Sequence, residues 1–335
     1  MKKIILLFML CITSVFGICC GKNKNEITIA EVAHSVFYAP QYAAIELGFF
    51  EDEGLEVELM NANGADKVMA ALLSGDAEIG LMGPEATIYV YNQGQKNYAI
   101  NFAQLTKRDG SFIVSRNPIK NFTLDMLEGK SILGGRKGGM PEMTLEYTLK
   151  QSGLKVGRDD KSILSENGVN VRTDIQFSAM AGAFVSGEGD FTTLFEPTAT
   201  EIEKQGKGYV VASVGELSGD VPYTAYSALK EYINNNESVI EKFTRAIYKG
   251  QKWIMNHNAR EIAEVIKPYF NEISLDDLEI VMQRHIDIDA WKNTPYFYEN
   301  DYDKLVSIMM EAGELDIKAP YNKVVTNKFA NIVMK

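Results

Sequence analysis

The chain has 335 residues, enough for two domains, and its 46% hydrophobic and 24% charged content without low-complexity tracts is that of a folded globular protein. Its 34 basic and 45 acidic side chains give a net charge of −11. No basic run occurs beyond the extreme N-terminus, which argues against a nucleic-acid partner, since phosphate contacts need clustered Lys and Arg.

In chain order, the first element is not part of the fold. "MKK" followed by "IILLFMLCITSVFGI" is a charged n-region and an apolar h-region of signal-peptide length, too short for a comfortable membrane span. Removing residues 1–19 takes Lys2 and Lys3 and no acid, leaving 32 basic against 45 acidic side chains, a charge of −13. All three cysteines, Cys11, Cys19 and Cys20, lie in this leader region, so the expected folded part has no disulfide, thiolate nucleophile or Cys-metal site. Cys20 before "GKNKNE" resembles a bacterial lipoprotein cleavage site, with Cys19 as the alternative acceptor. The expectation is an exported chain held to the membrane by an N-terminal lipid; a plain secretory signal is the alternative.

From Glu26 onward β-like runs alternate with helical ones, the pattern of an α/β sheet with crossover helices. "ITIAEVA" predicts a strand and "PQYAAIELGFF" a helix; "LEVELMNA" and "DKVMAALLSG" repeat the pair, as do "AEIGLMG" and "PEATIYVYNQG". Two further strands are expected in "YAINFAQLT" and "SFIVSR". The pattern then restarts with "KSILGG" and a helix from Pro141, "NVRTDIQF" and "MAGAFVSGEG", "DFTTLFE" and a helix from Pro197, and finally "GYVVASVG". From about Ala228 to Gly313 successive helices are expected, the most periodic being "ESVIEKFTRAIYKGQKWIMNH". The turns near Pro40, Pro84, Pro141 and Pro197 all follow a strand and open a helix, the edge at which open α/β sheets bind ligands.

"GGRKGGMPEMTLEY" (134–147) imitates a phosphate loop but fails as one: Met140-Pro141 follow Gly139 where Lys and a hydroxyl belong, and the glycine spacing is not that of a dinucleotide fingerprint. What remains is a glycine turn or a set of backbone amides at a helix start able to hold an anion or a carbonyl oxygen. His34, His257 and His285 are scattered without metal-ligand spacing, and no nucleophile elbow is present. His34, Phe37 and Tyr38, in one short loop after the first strand, offer stacking faces with hydrogen-bonding groups, or else a packed aromatic turn. Glu196, ending a strand before Pro197, is a carboxylate placed to accept from an amino or ring N–H group.

The leader and Cys20 tether, "IAEVAHSVFYAPQYAAIELGFFEDEGLEVEL", "LLSGDAEIGLMGPEA", "GRKGGMPEMTLEYTL" and "FEP" together resemble the extracytoplasmic solute-binding proteins of ABC importers. The resemblance is to the nitrate/sulfonate/taurine and thiamine-pyrimidine precursor binding family. It implies a type II periplasmic-binding-protein fold, α/β with mixed sheets, helices on both faces and two crossover strands as hinge. The implied lobes are 26–113 plus 224–335, and 114–223, closing on a solute between them. The implied ligand-binding residues are His34, Phe37, Tyr38, Asn63, Gly83, Glu85, Gly138, Gly139, Met140, Glu196 and Tyr223. No cofactor and no catalysis are expected, and the partners implied are a small-molecule solute and ABC permease subunits, met by a monomer. Aromatic and carboxylate groups favour a flat heterocycle, such as a thiamine-pyrimidine precursor or riboflavin-like compound, over a sulfonate or nitrate-type oxyanion. A pyrimidine-synthesising enzyme of the same fold is the alternative of another class.

Overall fold

The structure, a computed structural model, describes residues 25–157 and 168–335; the leader with Cys19 and Cys20 lies outside them. The chain first lays down β1 (Glu26–Glu31), α1 (Ala39–Glu46), α2 (Phe49–Asp52) and β2 (Glu56–Asn61). Next come α3 (Ala65–Ser74), β3 (Ile79–Met82), α4 (Glu85–Asn92) and β4 (Ala99–Thr106). The single helix expected from Pro40 to Phe50 is broken, because Gly48 takes a left-handed φ of 74° that terminates α1 and starts the short α2.

Crossing at residues 107–110, the chain enters β5 (Ser111–Ser115), β6 (Ser131–Leu133), α5 (Met140–Gln151), β7 (Lys155–Gly157) and β8 (Gly168–Arg172). It continues through α6 (Met180–Ser186), β9 (Phe191–Phe195), α7 (Thr198–Lys204), β10 (Tyr209–Ser213) and α8 (Val214–Ser218). A second crossing at 219–223 returns it to β11 (Thr224–Leu229) and then to helices: α9 (Lys230–Asn235), α10 (Glu237–Ile254), α11 (Ala259–Ile266) and α12 (Leu275–Asp287). Three more follow, α13 (Glu299–Glu311), α14 (Tyr321–Val324) and α15 (Lys328–Val333).

Two mixed sheets result. The first has strand order β2-β1-β3-β11-β4, with β1 parallel to β2 and β3 and with β11 antiparallel to β3 and β4. The second has order β10-β5-β9-β6-β8-β7, with β5 antiparallel to β9 and β10. In both, the helix-connected strands run parallel, and the strand entered from a crossing, β11 in the first sheet and β5 in the second, runs against them.

The C-terminal helices pack against the first sheet and its helices. In α10, Val239, Ile240, Phe243, Ala246, Ile247, Gly250 and Ile254 form one buried stripe at helical spacing. Phe243 packs edge-on to Tyr226 at 5.0 Å and against Phe50 at 5.1 Å. At Gly250 the stripe passes so close to α1 that an added Cβ would stand 2.4 Å from Pro40 O and 2.9 Å from Ala44 Cβ. Gly250→Ala is therefore expected to cost about 1–3 kcal/mol despite the gain in helix propensity, read as a lower urea midpoint; a midpoint at or above that of wild type would show that the two helices separate freely.

Candidate functional site

The loops at the carboxyl ends of β1, β3, β6 and β9 converge with the two crossings between the sheets. The loop after β1 makes a 3₁₀ turn at Val36–Tyr38, started by Ser35, whose Oγ accepts from the Phe37 amide at 3.3 Å. It presents Phe37 and Tyr38, both buried. Phe37 lies 6.1 Å from the Phe195 ring at the end of β9 and 5.8 Å from the Tyr223 ring on the returning crossing, both edge-on. Phe195 in turn meets Phe177 at 5.4 Å. Only glycine fits at 110, because a Cβ there would stand 2.7 Å from the Phe37 ring. From behind, the C-terminal helices brace this loop: Trp291 Nε1 donates to Phe37 O at 2.8 Å, and buried His285 lies 5.5 Å from the Phe37 ring.

Carboxyl groups stand among these rings. Glu85, the first residue of α4, is 3% exposed, and its Oε2 has no hydrogen-bond partner. It folds back across Gly83, where a Cβ would lie 2.1 Å from that oxygen, which is why this position carries no side chain. Burial pushes its carboxyl up to about 7, held from rising further by its own amide, by Arg136 and by the Met140 amide of α5. Asp109, on the outgoing crossing, is fully buried; the Ser111 amide donates to Oδ1 at 2.7 Å. Asp109 Oδ2, Ser111 Oγ and Tyr223 Oη make no hydrogen bond of good geometry. Burial raises the Asp109 carboxyl to about 6, partly offset by nearby Ser111 and Tyr223. The Tyr223 phenol is raised well above its ordinary value, first by burial and then by the fields of Asp109, Tyr38 and Glu85, which places these groups in one electrostatic cluster.

Glu196 sits elsewhere in this network than the sequence led us to expect. It is buried, but Oε2 accepts from the Thr200 amide at 3.0 Å, and Oε1 accepts from Thr200 Oγ1 at 3.0 Å and from Arg284 at 2.6 Å. Arg284, on α12, also reaches Glu203 on α7 at 2.6 Å, so the guanidinium ties the first-sheet helices to the second sheet. Lys204 to Asp277 at 2.6 Å, and Lys304 to the Ser218 and Asp220 carbonyls at 2.9 and 2.7 Å, cross the same seam.

The other expected positions separate into two groups. Gly83, Glu85, Met140, Phe37, Tyr38 and Tyr223 come together between the sheets. Gly138 and Gly139 lead into α5, but the Gly138 amide already donates to Glu142 at 2.9 Å and its carbonyl accepts from Tyr89 at 3.1 Å. Asn63 is an exposed turn residue with φ 58°, its amide turned to Asn61 Oδ1. His34 is held within the first lobe: Nδ1 meets Glu31 at 3.0 Å, Nε2 meets the Tyr269 carbonyl at 2.8 Å, and the ring stacks on Phe270 at 4.8 Å. Both nitrogens face acceptors, so the imidazolium satisfies both, and the Glu31 hydrogen bond leads in raising its pKa. Glu31 also accepts from Gln41 and Tyr42, so the dyad belongs to the underside of β1 and borders a flank groove of about 420 Å³ with Ile45, Val57 and Leu59.

Sequence reasoning missed Asp109, Ser111, Phe195 and Arg284. Asp109 sits in "KRDGS" between two predicted strands, a signal available only to a reader who already knows where the chain changes sheet. Phe195 is the neighbour of Glu196 in "LFEP". Arg284 carries no local signal, since a cation in the last turn of a helix is ordinary.

Residues 21–267 match the NMT1-like family. The chain is 41% identical over 329 residues to the candidate binding protein YtlA of Bacillus subtilis (strain 168), covering 96% of each. Among solved structures, the periplasmic nitrate-binding protein NrtA from Synechocystis PCC 6803 superposes with a TM-score of 0.73 at 15% identity, over 92% of this chain and 88% of that one. The alkanesulfonate-binding protein SsuA from Xanthomonas axonopodis pv. citri, bound to MOPS, gives 0.69 at 12% identity, over 90% and 98%. The likeness to these two is one of fold.

Proposed function

The chain belongs to the NMT1-like family, and from that premise we propose that it is the extracytoplasmic solute-binding component of an ABC importer, closing two lobes on a flat, donor-bearing heterocycle. The lobes are 26–113 with 224–335, and 114–223, and Cys20, or else Cys19, carries the lipid that holds the chain at the membrane beside its permease. The observation that carries the ligand reading is a group of four rings, Phe37, Tyr38 and Tyr223 buried and Phe195 half-buried, beside the unpartnered oxygens Glu85 Oε2 and Asp109 Oδ2. Stacking supplies about 0.5–1.5 kcal/mol per ring pair beyond burial. Carboxyl oxygens that make no hydrogen bond in the structure supply acceptors for an exocyclic amine or a ring N–H. Thiamine-pyrimidine precursors have that shape and chemistry, and riboflavin-like rings share much of it. The role of orienting the solute passes from Glu196, whose oxygens are engaged by Thr200 and Arg284, to Glu85 and Asp109.

Thermal unfolding of the purified protein against aminopyrimidine thiamine precursors, riboflavin, taurine and nitrate tests this. A solute at a hundred times its dissociation constant stabilises by about 2.7 kcal/mol, a shift of several degrees. The expected result is a shift with a heterocycle that is abolished by Asp109→Asn and kept in Glu196→Gln. A shift only with taurine or nitrate rejects the heterocycle, and a heterocycle shift lost only in Glu196→Gln returns the orienting role to that residue.

A further inference from the structure

We propose that Asp109, Ser111 and Tyr223 are specificity-determining residues that together read one edge of the solute, an edge on which an N–H stands beside a ring nitrogen or a carbonyl oxygen. Asp109 Oδ2 takes the N–H, and the two hydroxyls donate to the acceptors next to it. The proposal rests on the solute-binding reading above and narrows its heterocycle to one that carries donor and acceptor side by side.

Three segments bring these groups together. Asp109 lies on the outgoing crossing, Ser111 opens β5 and Tyr223 ends the returning crossing. The crossings are bonded to each other, Val221 N donating to Lys107 O at 2.7 Å and Tyr223 N to Thr106 O at 3.3 Å. Phe37 is the common wall: its ring rests on Gly110, between Asp109 and Ser111, and meets the Tyr223 ring edge-on at 5.8 Å. From the second sheet, Gly215 of α8 presses on the same turn, where a Cβ would stand 2.2 Å from Asp109 O. The Ser111 amide donates to Asp109 Oδ1 at 2.7 Å, which fixes the carboxyl and leaves Oδ2 bare.

Among the described residues nothing completes the set. Asp109 and Ser111 have no exposed surface and Tyr223 keeps 4%, yet Asp109 Oδ2, Ser111 Oγ and Tyr223 Oη make no hydrogen bond. The cations that precede Asp109 are engaged elsewhere, Lys107 by Asp289 and Arg108 by Asp220 and the Ile288 carbonyl. Buried polar atoms are as a rule paired, so three bare ones at one place point to a partner from outside the chain. An ionised carboxyl can only accept, whereas each hydroxyl has a proton to give, so the complement carries an N–H together with acceptors. A simple amine lacks the acceptor and an oxyanion lacks the N–H.

Calorimetry with an aminopyrimidine thiamine precursor and with riboflavin compares wild type with the Ser111→Ala, Tyr223→Phe double variant. Wild type is expected to bind at least one of the two, and the double variant to bind it about tenfold or more weakly. Aniline, a flat ring with the donor alone, and benzoate, with acceptors alone, are expected to bind wild type at least about tenfold more weakly than that heterocycle does. Thermal unfolding without solute is the second readout: hydroxyls that have no partner add nothing to the empty chain, so the double variant should melt at or above the wild-type temperature. A double variant that melts lower overturns the proposal, because the hydroxyls are then bonded within the protein. Aniline or benzoate bound by wild type as tightly as the heterocycle overturns it with no variant needed. Heterocycle binding that is equal in the two proteins sinks the proposal alone, a buried water then serving these atoms, whereas a wild type that binds neither heterocycle sinks the ligand reading and the proposal with it.

Discussion

Arg284→Met is expected to weaken the seam between α12 and the second sheet by about 3–5 kcal/mol, the cost of leaving a buried carboxylate without its cation. Glu196 has no exposed side-chain surface and Arg284 keeps only 23% of its own, so water screens little of the interaction. Once the guanidinium is gone, Thr200 is the hydrogen-bonding partner left to Glu196 among the described residues, and Glu203 loses its cation too. The two sheets can escape part of this cost by separating, which lets water reach Glu196. The variant is accordingly expected to show a larger radius of gyration in solution scattering together with a lower melting temperature. Neutralising both partners in Arg284→Met with Glu196→Gln should recover most of the loss, because the amide still accepts from Thr200 and no charge is left buried. A single variant as compact and as stable as wild type would mean that the pair contributes nothing to holding the seam.

Stability should fall as pH rises from about 4.5 to about 7. Glu85 and Asp109 titrate near 7 and 6 in the folded chain, against ordinary values of 4.5 and 3.8, so across this window the folded state binds protons that the unfolded state has released. Their contribution is complete below the ordinary values and is lost as pH climbs through the folded ones, at up to about 1.4 kcal/mol per pH unit for each group. His34, raised by Glu31, adds to the decline above 6.5. His285 works the other way: burial lowers its pKa, so its contribution is present above 6.5 and is lost as pH falls. Glu53 and Asp277, both lowered, matter only in acid below about 4.5. Urea midpoints between pH 5 and 8 are expected to decline in wild type and to flatten in the Glu85→Gln, Asp109→Asn double variant. An equal slope in both proteins would place the titrating groups elsewhere.

How much of this is legible in the sequence differs from element to element. The strand–helix alternation could be read directly, because a buried strand and an amphipathic helix each write their period into consecutive residues, as α10 does with its stripe from Val239 to Ile254. The break at Gly48 was invisible in the periodicity, since the apolar run continues through Phe49 and Phe50; only the backbone's left-handed turn reveals it. Phe37, Tyr38, Glu85 and Met140 could be proposed as neighbours because each follows a strand, and strand ends in such sheets share an edge.

The sequence by itself determined the two-fold repeat of strand and helix, the location of the strand-end loops and the residue types that those loops carry. All of these are local, written within about ten residues of chain. The tertiary structure alone decided which of those residues remain available. Glu196 and Glu85 read alike as carboxylates beside a proline at a helix start. One is consumed by Arg284, 88 residues away on a C-terminal helix, and the other is left with a bare oxygen over Gly83. Whether a buried carboxyl is satisfied depends on donors that distant segments bring to it, and the position of those donors is set by the packing of the two sheets, which no local period records.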